Sequence, residues 1–553
     1  MTGTTDTIST RAPAIARPVD VLLLGGEVVD GTGAPRRRAD VAIADGRIVA
    51  IGDLADRAAE RRIDVSGHVV TPGFIDMHAH SDLPLLTDPD HLAKVAQGVT
   101  TEVLGQDGLS YAPVDDATLA QVRRQIAGWN GNPADLDLSW RTVGGYLDRL
   151  DRDGIAVNAV YLVPQGTLRL LVVGADDRPA TPAEIEEMCA VLARSMREGA
   201  AGMSSGLTYP PGMYADTAEL AALLRVVAEH GGYYSPHTRS YGRGALDAYA
   251  EMIDLARATG CPVHLTHATM NFEENVGRAG ELLALVDAAL DEGLDITLDS
   301  YPYLPGSTTL AALLPSWSAS GGPEELLARL ADPEARERIR HDVEVAGTDG
   351  CHGLTVDWAT IQVSGVTDPG LTDTVGRTIA ELAREQGGSG TDVFLDLLVR
   401  DQLATTILQH VGHEENVRLV MRHRAHLAGS DGILVGDRPH PRAWGTFPRY
   451  LARYSRELGL LGLEECVEHL TSRAARRLRL VDRGVVRVGA IADLVVLDPD
   501  RVRDTATFEQ PRSVPEGIPY VFVGGVAAID DGRRTGSRSG RALRRDATGD
   551  VVG

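Results

Sequence analysis

The chain has 553 residues, of which 43 % are hydrophobic and 24 % are charged. These proportions indicate a globular protein with a sizeable core and exclude disordered and collagen-like chains. A formal net charge of −24 disfavours nucleic acid and anionic membrane surfaces as partners, and no run of about 18 apolar residues predicts a membrane span. Four widely spaced cysteines without a CxxC pair indicate a reducing, cytoplasmic compartment.

The two ends of the chain share a β-rich pattern. Residues 1–17 lack the apolar centre of a secretory signal and are predicted to be a loose tail. Over residues 18–70, apolar runs such as VDVLLLGGEVVD alternate with Gly and Asp, as in hairpins, and the same pattern returns over residues 481–553. The two segments predict one small β-domain built from both termini.

The middle of the chain, residues 71–480, alternates strand-like and helix-like segments, which predicts βα units and a parallel sheet. Helix signals separate the strands: Thr181, Pro182 and Glu184 supply an N-cap, a first-turn proline and a capping box. Eight such units favour an α/β fold of the (β/α)8 TIM-barrel type over an open sheet. The strand candidates are HVVTPGFIDMHAH, GVTTEVLG, VNAVYLVP, GAAGMSSGL, YYSPHTR, CPVHLTHAT, DITLDSYPY and HLAGSDG.

The pattern loosens between about residues 306 and 426, just before the last strand candidate. Extra helical and mixed segments occur there, which predicts an insertion. Two interpretations of it stay open, a lid over the barrel or a mere decoration.

Five side chains able to bind metal or protons fall at the ends of predicted strands. His78 and His80 are two residues apart on the first strand, so they share one face. His237, His267 and Asp431 end the fifth, sixth and eighth strands. Barrel active sites lie at this carboxyl end, and imidazole and carboxylate groups suit zinc or a similar divalent ion.

These residue types predict a hydrolytic metal site. A divalent ion lowers the pKa of bound water toward about 7, which gives hydroxide at neutral pH, and it polarises a carbonyl oxygen. Asp431 is then placed to take the water proton and pass it to a leaving amine. The predicted reaction is hydrolysis of an amide or related C–N bond. A non-catalytic barrel that binds metal or a ligand is the alternative from another class, disfavoured because Asp431 and all four histidines are present.

Longer motifs carry a resemblance to a known family. They are TPGFIDMHAHSD, SSGLTYPPGMYA, DSYPYLPGSTTLAALLP, HPRAWGTFPRYLARY and the segment from DRGVVRVGAIADLVVLDPD to the end of VFVGGVAAIDDGRRTG. They resemble the amidohydrolase superfamily and, within it, the N-acyl-D-amino-acid deacylases or D-aminoacylases, over nearly the whole chain after the tail. The resemblance implies a barrel with a β-sandwich from both termini, zinc at the barrel mouth, and release of a fatty or short acid from N-acyl-D-amino acids.

The same resemblance implies roles for single residues. Arg442 of HPRAWG and Tyr301 of DSYPY would bind the substrate carboxylate, and Ser307 of GSTT would contact it. A planar guanidinium suits this task because it grips a carboxylate with two hydrogen bonds. A half-buried strand aromatic is the alternative interpretation of Tyr301. Metal ligands are implied at His78, His80, His237 and His267, with a general acid/base at Asp431.

The first departure from the family pattern concerns a metal ligand. Where the family usually has GNCG, this chain has GQDG, so Asp107 stands in the position of a ligating cysteine. A carboxylate is a harder ligand than a thiolate, so the metal preference shifts from Zn2+ toward metals such as Mn2+ or Fe2+. We expect one or two divalent ions, with Asp107 as the bridging carboxylate and Glu102 as the alternative. Lys94, the only lysine, precedes the second strand and is poorly placed to bridge, and Asp107 as a turn residue is the other interpretation.

The second departure concerns the substrate. The family commonly has a lysine two residues after the histidine at position 267, and this chain has Thr269. Losing a cation beside Arg442 weakens the case for a simple N-acyl amino acid and leaves a neutral, larger or cyclic substrate open. The nearest rival is a cyclic amidase of the hydantoinase or dihydroorotase type. D or L preference, acyl-chain preference and oligomeric state are left open by the sequence.

Overall fold

A computed structural model describes residues 18–553, and the predicted tail, residues 1–17, lies outside the described residues. Its central element is an eight-stranded parallel sheet whose strands follow one another in chain order. The strands are β1 (Phe74–Asp76), β2 (Val99–Leu104), β3 (Asn158–Pro164), β4 (Gly202–Gly206), β5 (Tyr233–His237), β6 (Val263–Leu265), β7 (Ile296–Ser300) and β8 (His426–Ala428).

The first and last strands of this sheet meet, which closes it into a barrel. The Met77 N–H donates to the carbonyl oxygen of Ala428 at 3.1 Å, and the Asp431 N–H donates to that of His78 at 2.9 Å. Just beyond these residues, Ala79–His80 and Gly432–Ile433 pair as two short parallel strands. The predicted (β/α)8 barrel is confirmed.

Helices follow the strands and cover the barrel. Helix Pro182–Arg197 begins as predicted, because the Thr181 hydroxyl accepts from the Glu184 N–H and the Glu184 carboxylate accepts from the Thr181 N–H. The α-helices of residues 18–553 are Pro84–Thr87, Leu92–Val95, Asp116–Gln125, Ala127–Asn130, Val143–Asp153, Gln165–Val172, Pro182–Arg197, Thr217–Glu229, Ala245–Thr259, Ala279–Asp291, Pro323–Ala331, Pro333–His341, Ile379–Gln386, Gly390–Arg400, Glu414–Met421, Arg442–Arg449, Leu463–Leu470 and Ser472–Leu478. None of these helices has the length and apolar character that crossing a bilayer requires.

Two further sheets form a β-sandwich from both ends of the chain. Strand Val69–Pro72 pairs with Leu494–Leu497, which joins the two termini in one sheet. Val21 and Leu23 of the other sheet share a buried apolar cluster with Val496 and Phe522. The β-sandwich predicted from both termini is confirmed. Its strands are, in spatial order, Arg47–Gly52, Asp40–Ala44, Val19–Leu24 and Ala59–Asp64 in one sheet, and Arg533–Arg534, Val526–Asp530, Tyr520–Val523, Leu494–Leu497, Val69–Pro72, Glu27–Val28 and Arg37–Arg38 in the other.

The last residues of the chain leave the sandwich and pack on the amino-terminal end of the barrel. The Leu543 N–H donates to the Ala159 carbonyl of β3 at 2.8 Å. The Arg545 guanidinium donates to the Ala201 carbonyl just before β4 at 2.8 Å. Strands Arg544–Arg545 and Val551–Val552 form a small antiparallel pair there.

Residues between β7 and β8 form a unit with its own core. Strand Thr406–Gln409 lies between Gly306–Thr309 and Ile361–Gly365 in an antiparallel sheet. Leu330 and Phe394 belong to a buried apolar cluster of this region that is distinct from the clusters of the barrel. The insertion therefore packs as a small layer of its own, and its strand Gly306–Thr309 follows directly from the end of β7.

Candidate active site

Four histidines and two aspartates meet at the carboxyl end of the barrel. All six are buried, with at most 7 % of each residue exposed. The structure thus brings together every metal ligand and the acid/base residue predicted from the sequence. They are His78 and His80 after β1, Asp107 after β2, His237 at the end of β5, His267 after β6 and Asp431 after β8.

Asp107 lies at the centre of this cluster. His78, His80, Asp107 and Asp431 form one group, and Asp107, His237 and His267 form a second, with ligand atoms of each group within 4.8 Å of one another. Asp107 Oδ1 is 3.5 Å from His78 Nε2 and 3.7 Å from both His237 Nδ1 and His267 Nε2. Asp107 is therefore the residue that the two groups have in common.

The donor atoms in this cluster fit a divalent cation. Asp107 Oδ1 and His237 Nδ1 are buried and have no hydrogen-bond partner among residues 18–553. The other ring nitrogen of His237, Nε2, lies 2.7 Å from the Thr208 hydroxyl, which leaves Nδ1 for the cluster. Unsatisfied buried polar atoms are costly, and imidazole with carboxylate is a zinc-type donor set.

The backbone is unusual at three of these residues. Asp107, His267 and Asp431 have φ angles of 53°, 31° and 49°. Residues other than glycine rarely have positive φ angles, and those that do cluster at functional sites. Gly206 at the end of β4 makes room for the Asp107 loop, because a Cβ atom there would lie 2.1 Å from the Asp107 carbonyl oxygen.

A second set of buried charges lies beside the ligands. Lys94 Nζ is 2.6 Å from Asp76 Oδ2 and 2.9 Å from Glu102 Oε1, and His91 Nε2 is 2.7 Å from Glu102 Oε2. Burial opposes ionisation of Glu102, but Lys94 and His91 outweigh it and lower its pKa to about 2. Glu102, the alternative ligand, is therefore occupied by these partners and belongs to neither ligand group. Lys94 is paired with carboxylates and does not bridge the cluster.

Asp76 connects these charges to the ligands. Its Oδ1 accepts hydrogen bonds from the His78 N–H at 3.2 Å and the Ser430 N–H at 2.8 Å. Its Oδ2 accepts from the Ser430 hydroxyl and from Lys94. Lys94 thus acts through Asp76 on two backbone segments, the one that carries His78 and the one that carries Asp431.

Positive charge keeps the carboxylates of the cluster ionised. Burial raises the pKa of Asp107, but its histidine neighbours outweigh this and hold the pKa well below its usual range. Burial likewise opposes ionisation of Asp431, and the charge of Arg442 lowers the pKa of that carboxyl in spite of it. Arg442 Nη2 is 2.8 Å from Asp431 Oδ2, so Asp431 is poised as a carboxylate.

The predicted substrate-binding residues lie beside Asp431. Arg442 is fully buried, its Cζ lies 4.4 Å from the centre of the Tyr301 ring, and its Nη2 lies 3.4 Å from the Ser307 carbonyl oxygen. Its Nε and Nη1 atoms have no acceptor within the described part of the chain. Tyr301, Ser307 and Asp431 line one cavity of about 660 Å3, which also contains His80 and Asp107.

The walls of this metal-side cavity include residues that strand-end motifs did not reveal. Trp129 and Tyr209 come from segments after β2 and β4. His352 and Gln409 come from the insertion, which is therefore part of the site rather than a decoration. A histidine in the DGCHGL segment has no strand pattern before it, so no sequence signal marked it.

Thr269 lies in the wall of the same cavity. Its hydroxyl donates to the Asn271 side-chain oxygen at 2.7 Å, and both residues line the space. The position where the family pattern has a lysine therefore presents a neutral polar surface.

A closed parallel barrel with histidines and aspartates at its carboxyl end is typical of barrel hydrolases. Comparison with known proteins gives the same class. Residues 61–529 match a family model described as the amidohydrolase family. D-aminoacylase of Alcaligenes xylosoxydans xylosoxydans is 37 % identical over 539 residues, which cover 96 % of this chain and 99 % of that protein. The chain belongs to the amidohydrolase family and, within it, to the group of D-aminoacylases and N-acyl-D-amino-acid deacylases.

Solved structures agree with this placement. A D-aminoacylase structure, studied for its binuclear metal centre, has a TM-score of 0.81 at 36 % identity and covers 96 % of this chain and 100 % of that one. N-acyl-D-glutamate deacylase of Bordetella bronchiseptica, complexed with zinc and a phosphonate inhibitor, has a TM-score of 0.79 at 33 % identity with the same coverage. A D-hydantoinase, at 17 % identity and a TM-score of 0.52, shares the fold alone.

Proposed function

We propose that this protein hydrolyses the amide bond of N-acyl-D-amino acids in a metal-dependent reaction. The observation that carries the proposal is the position of Asp431, whose Oδ1 is 3.1 Å from His80 Nε2 in the ligand cluster and whose Oδ2 pairs with Arg442. Asp431 thus lies beside the residues that would hold a metal. It also lies beside Arg442, a cation suited to a substrate carboxylate. Its sequence relatives are named for the same kind of substrate.

The chain supplies a complete set of groups for this reaction. A divalent ion, with Zn2+ first and Mn2+ or Fe2+ as alternatives, would when bound acidify water and polarise the amide carbonyl. Asp431 accepts the proton of the attacking water on its carboxylate and returns it to the nitrogen of the leaving amine. The residues that would hold one or two ions are His78, His80, Asp107, His237 and His267.

Three residues would bind the amino-acid end of the substrate. Arg442 has two guanidinium nitrogens without acceptors, which would receive the carboxylate, and Tyr301 and Ser307 border the cavity beside it. The pairing of Arg442 with Asp431 couples recognition to chemistry, since the same guanidinium orients the acid/base. The insertion contributes His352 and Gln409 to the cavity wall, which would help to exclude bulk water during the proton transfers.

The setting of the reaction follows from composition and cysteines. The net charge of −24 and the apolar and histidine-rich cavities favour a small-molecule substrate and no nucleic-acid partner. The four cysteines are unpaired in the described chain, which supports a cytoplasmic location.

The test is release of free amine by protein loaded separately with Zn2+ and Mn2+. The panel contains N-acetyl-D- and N-acetyl-L-amino acids together with hydantoin and dihydroorotate. We expect turnover of D-substrates that is lost in Asp431→Asn. Ring opening without amine release from any acyl substrate would overturn the proposal in favour of a cyclic amidase.

A further inference from the structure

A second cavity of about 760 Å3 adjoins the metal-side cavity. It lies between helix Asp116–Gln125, helix Ala127–Asn130 and the insertion helix Pro323–Ala331, all of which contribute residues to its wall. Because the barrel forms one side and the insertion the other, this apolar cavity exists only where the two units pack together.

The two cavities share part of one wall. Trp129, Tyr209 and Ala312 line both of them. The centre of the Trp129 ring lies 5.4 Å from that of His80, and the Tyr209 ring lies 4.8 Å from that of His237. The apolar cavity therefore begins one side chain away from two candidate metal ligands.

The shared wall is held mainly by packing. Trp129 is 3 % exposed, and its indole N–H has no acceptor among the described residues. Its ring meets that of Tyr209 edge to face, with centres 4.9 Å apart, and the Tyr209 hydroxyl lies 3.0 Å from that of Thr308. No hydrogen bond among the described residues fixes the indole, so packing alone holds the Trp129 ring in the shared wall.

The chemical character of the two cavities differs sharply. The second is lined largely by apolar side chains, among them Leu109, Ile126, Leu326 and Leu403. Its one arginine, Arg124, is 44 % exposed and forms an ion pair with Glu324. A charged group would find no buried counter-charge in this wall, whereas a hydrocarbon chain would lose its contact with water.

We propose that this apolar cavity receives the acyl chain of the substrate, so that the protein acts on N-acyl-D-amino acids with long, unbranched fatty acyl groups. The inference rests on the proposed function, which assigns the substrate carboxylate to Arg442 and Tyr301. An N-acyl amino acid has two ends that diverge from the amide bond. With the carboxylate end assigned to the charged side of the site, the acyl end is the one that meets the apolar side.

The test is kcat/KM for a series of N-acyl-D-leucines with acetyl, hexanoyl, octanoyl and decanoyl groups. Burial of each added methylene is expected to raise kcat/KM by up to about fourfold until the cavity is filled. Two variants fill the cavity, Ala319→Phe from the insertion and Ala175→Leu from the barrel side. Each should reduce the advantage of decanoyl over acetyl at least tenfold and leave acetyl turnover unchanged. Ala331→Phe is the matched control, since Ala331 is exposed on the same insertion, outside the cavity wall.

The outcomes separate the two proposals. Turnover of the acetyl substrate with a flat acyl series would overturn this inference and leave the proposed function standing. Cavity-filling variants that alter preference among N-acetyl-D-alanine, -leucine and -phenylalanine, and not among acyl chains, would assign the cavity to the amino-acid side chain instead. No turnover of any N-acyl-D-amino acid would overturn the proposed function itself and this inference with it.

Discussion

Replacement of Lys94 by methionine tests the buried charges beside the site. Lys94 is fully buried, and methionine keeps an unbranched chain while it removes the cation that contacts both Asp76 and Glu102. Breaking a buried ion pair by removal of one partner costs about 3–5 kcal/mol, because the other charge is left uncompensated. With an unfolding entropy of about 2.1 cal/mol/K per residue over the chain, this loss lowers the Tm by roughly 3–4 °C.

The pH dependence of this loss has a definite sign. The folded protein holds the pKa of Glu102 at about 2, below the ordinary 4.5, so its stabilisation is present above pH 4.5 and is lost as the pH falls through 2. Without Lys94, only His91 opposes the rise in the pKa of Glu102 that burial causes, and the penalty for ionising Glu102 grows with pH. The Tm difference between wild type and Lys94→Met should therefore be larger at pH 8 than at pH 5.

Differential scanning calorimetry of the metal-loaded proteins at pH 5, 7 and 8 measures this difference. Glu102→Gln in the Lys94→Met background is the control, because removal of the stranded carboxylate should restore part of the Tm. Activity should also fall, since Asp76 holds the segments of His78 and Asp431 through their backbone N–H groups. An unchanged Tm at pH 8, or a Tm difference that is the same at pH 5 and pH 8, would refute the reasoning.

Four further substitutions test the site itself. Asp431→Asn should lower kcat by about 10²–10⁴ without lowering the metal content, and a parallel loss of metal would contradict its role as acid/base. Asp107→Ala should lower the metal bound per chain after dialysis, measured by mass spectrometry, and full retention would contradict a bridging ligand. Arg442→Lys should raise KM about tenfold, because an ammonium cannot replace a two-pronged guanidinium, and an unchanged KM would remove Arg442 from substrate binding. Gly206→Ala should weaken metal binding on the order of 10- to 100-fold by displacing Asp107, whereas Gly280→Ala, whose Cβ meets open space, should not.

The barrel and five of the six central site residues were predictable from the sequence for one physical reason. Parallel strands place their carboxyl ends at a single edge, so residues that follow separate strands in sequence come together in space. His78, His237 and Asp431 each follow a strand with a clear apolar pattern, and their meeting needs no further information. The capping box of helix Pro182–Arg197 was equally predictable, since its partners are three residues apart.

The choice between Asp107 and Glu102 depended on contacts that the sequence does not display. Glu102 lies within β2, and whether it serves the metal cluster depends on which side chains it meets. Helix Leu92–Val95 directs Lys94 into the interior, where its ammonium group forms ion pairs with Glu102 and Asp76. The position of a single buried lysine thus leaves Asp107 to the histidines, and no local pattern indicates that position.

The replacement of the family's lysine by Thr269 and the second, apolar cavity both bear on the size of the substrate. A lysine beside Arg442 would add a second cation for the substrate carboxylate, and Thr269 instead offers a neutral hydroxyl bonded to Asn271. Transition-state stabilisation lost at the carboxylate must be replaced elsewhere if the reaction is to remain efficient. Apolar burial beyond Trp129 is the compensation that the described chain offers, and it favours the larger substrate that the sequence left open over a cyclic one. A Thr269→Lys variant should then raise kcat/KM for the acetyl substrate more than for the decanoyl substrate. An equal rise for both would show that the apolar cavity does not compensate for the missing lysine.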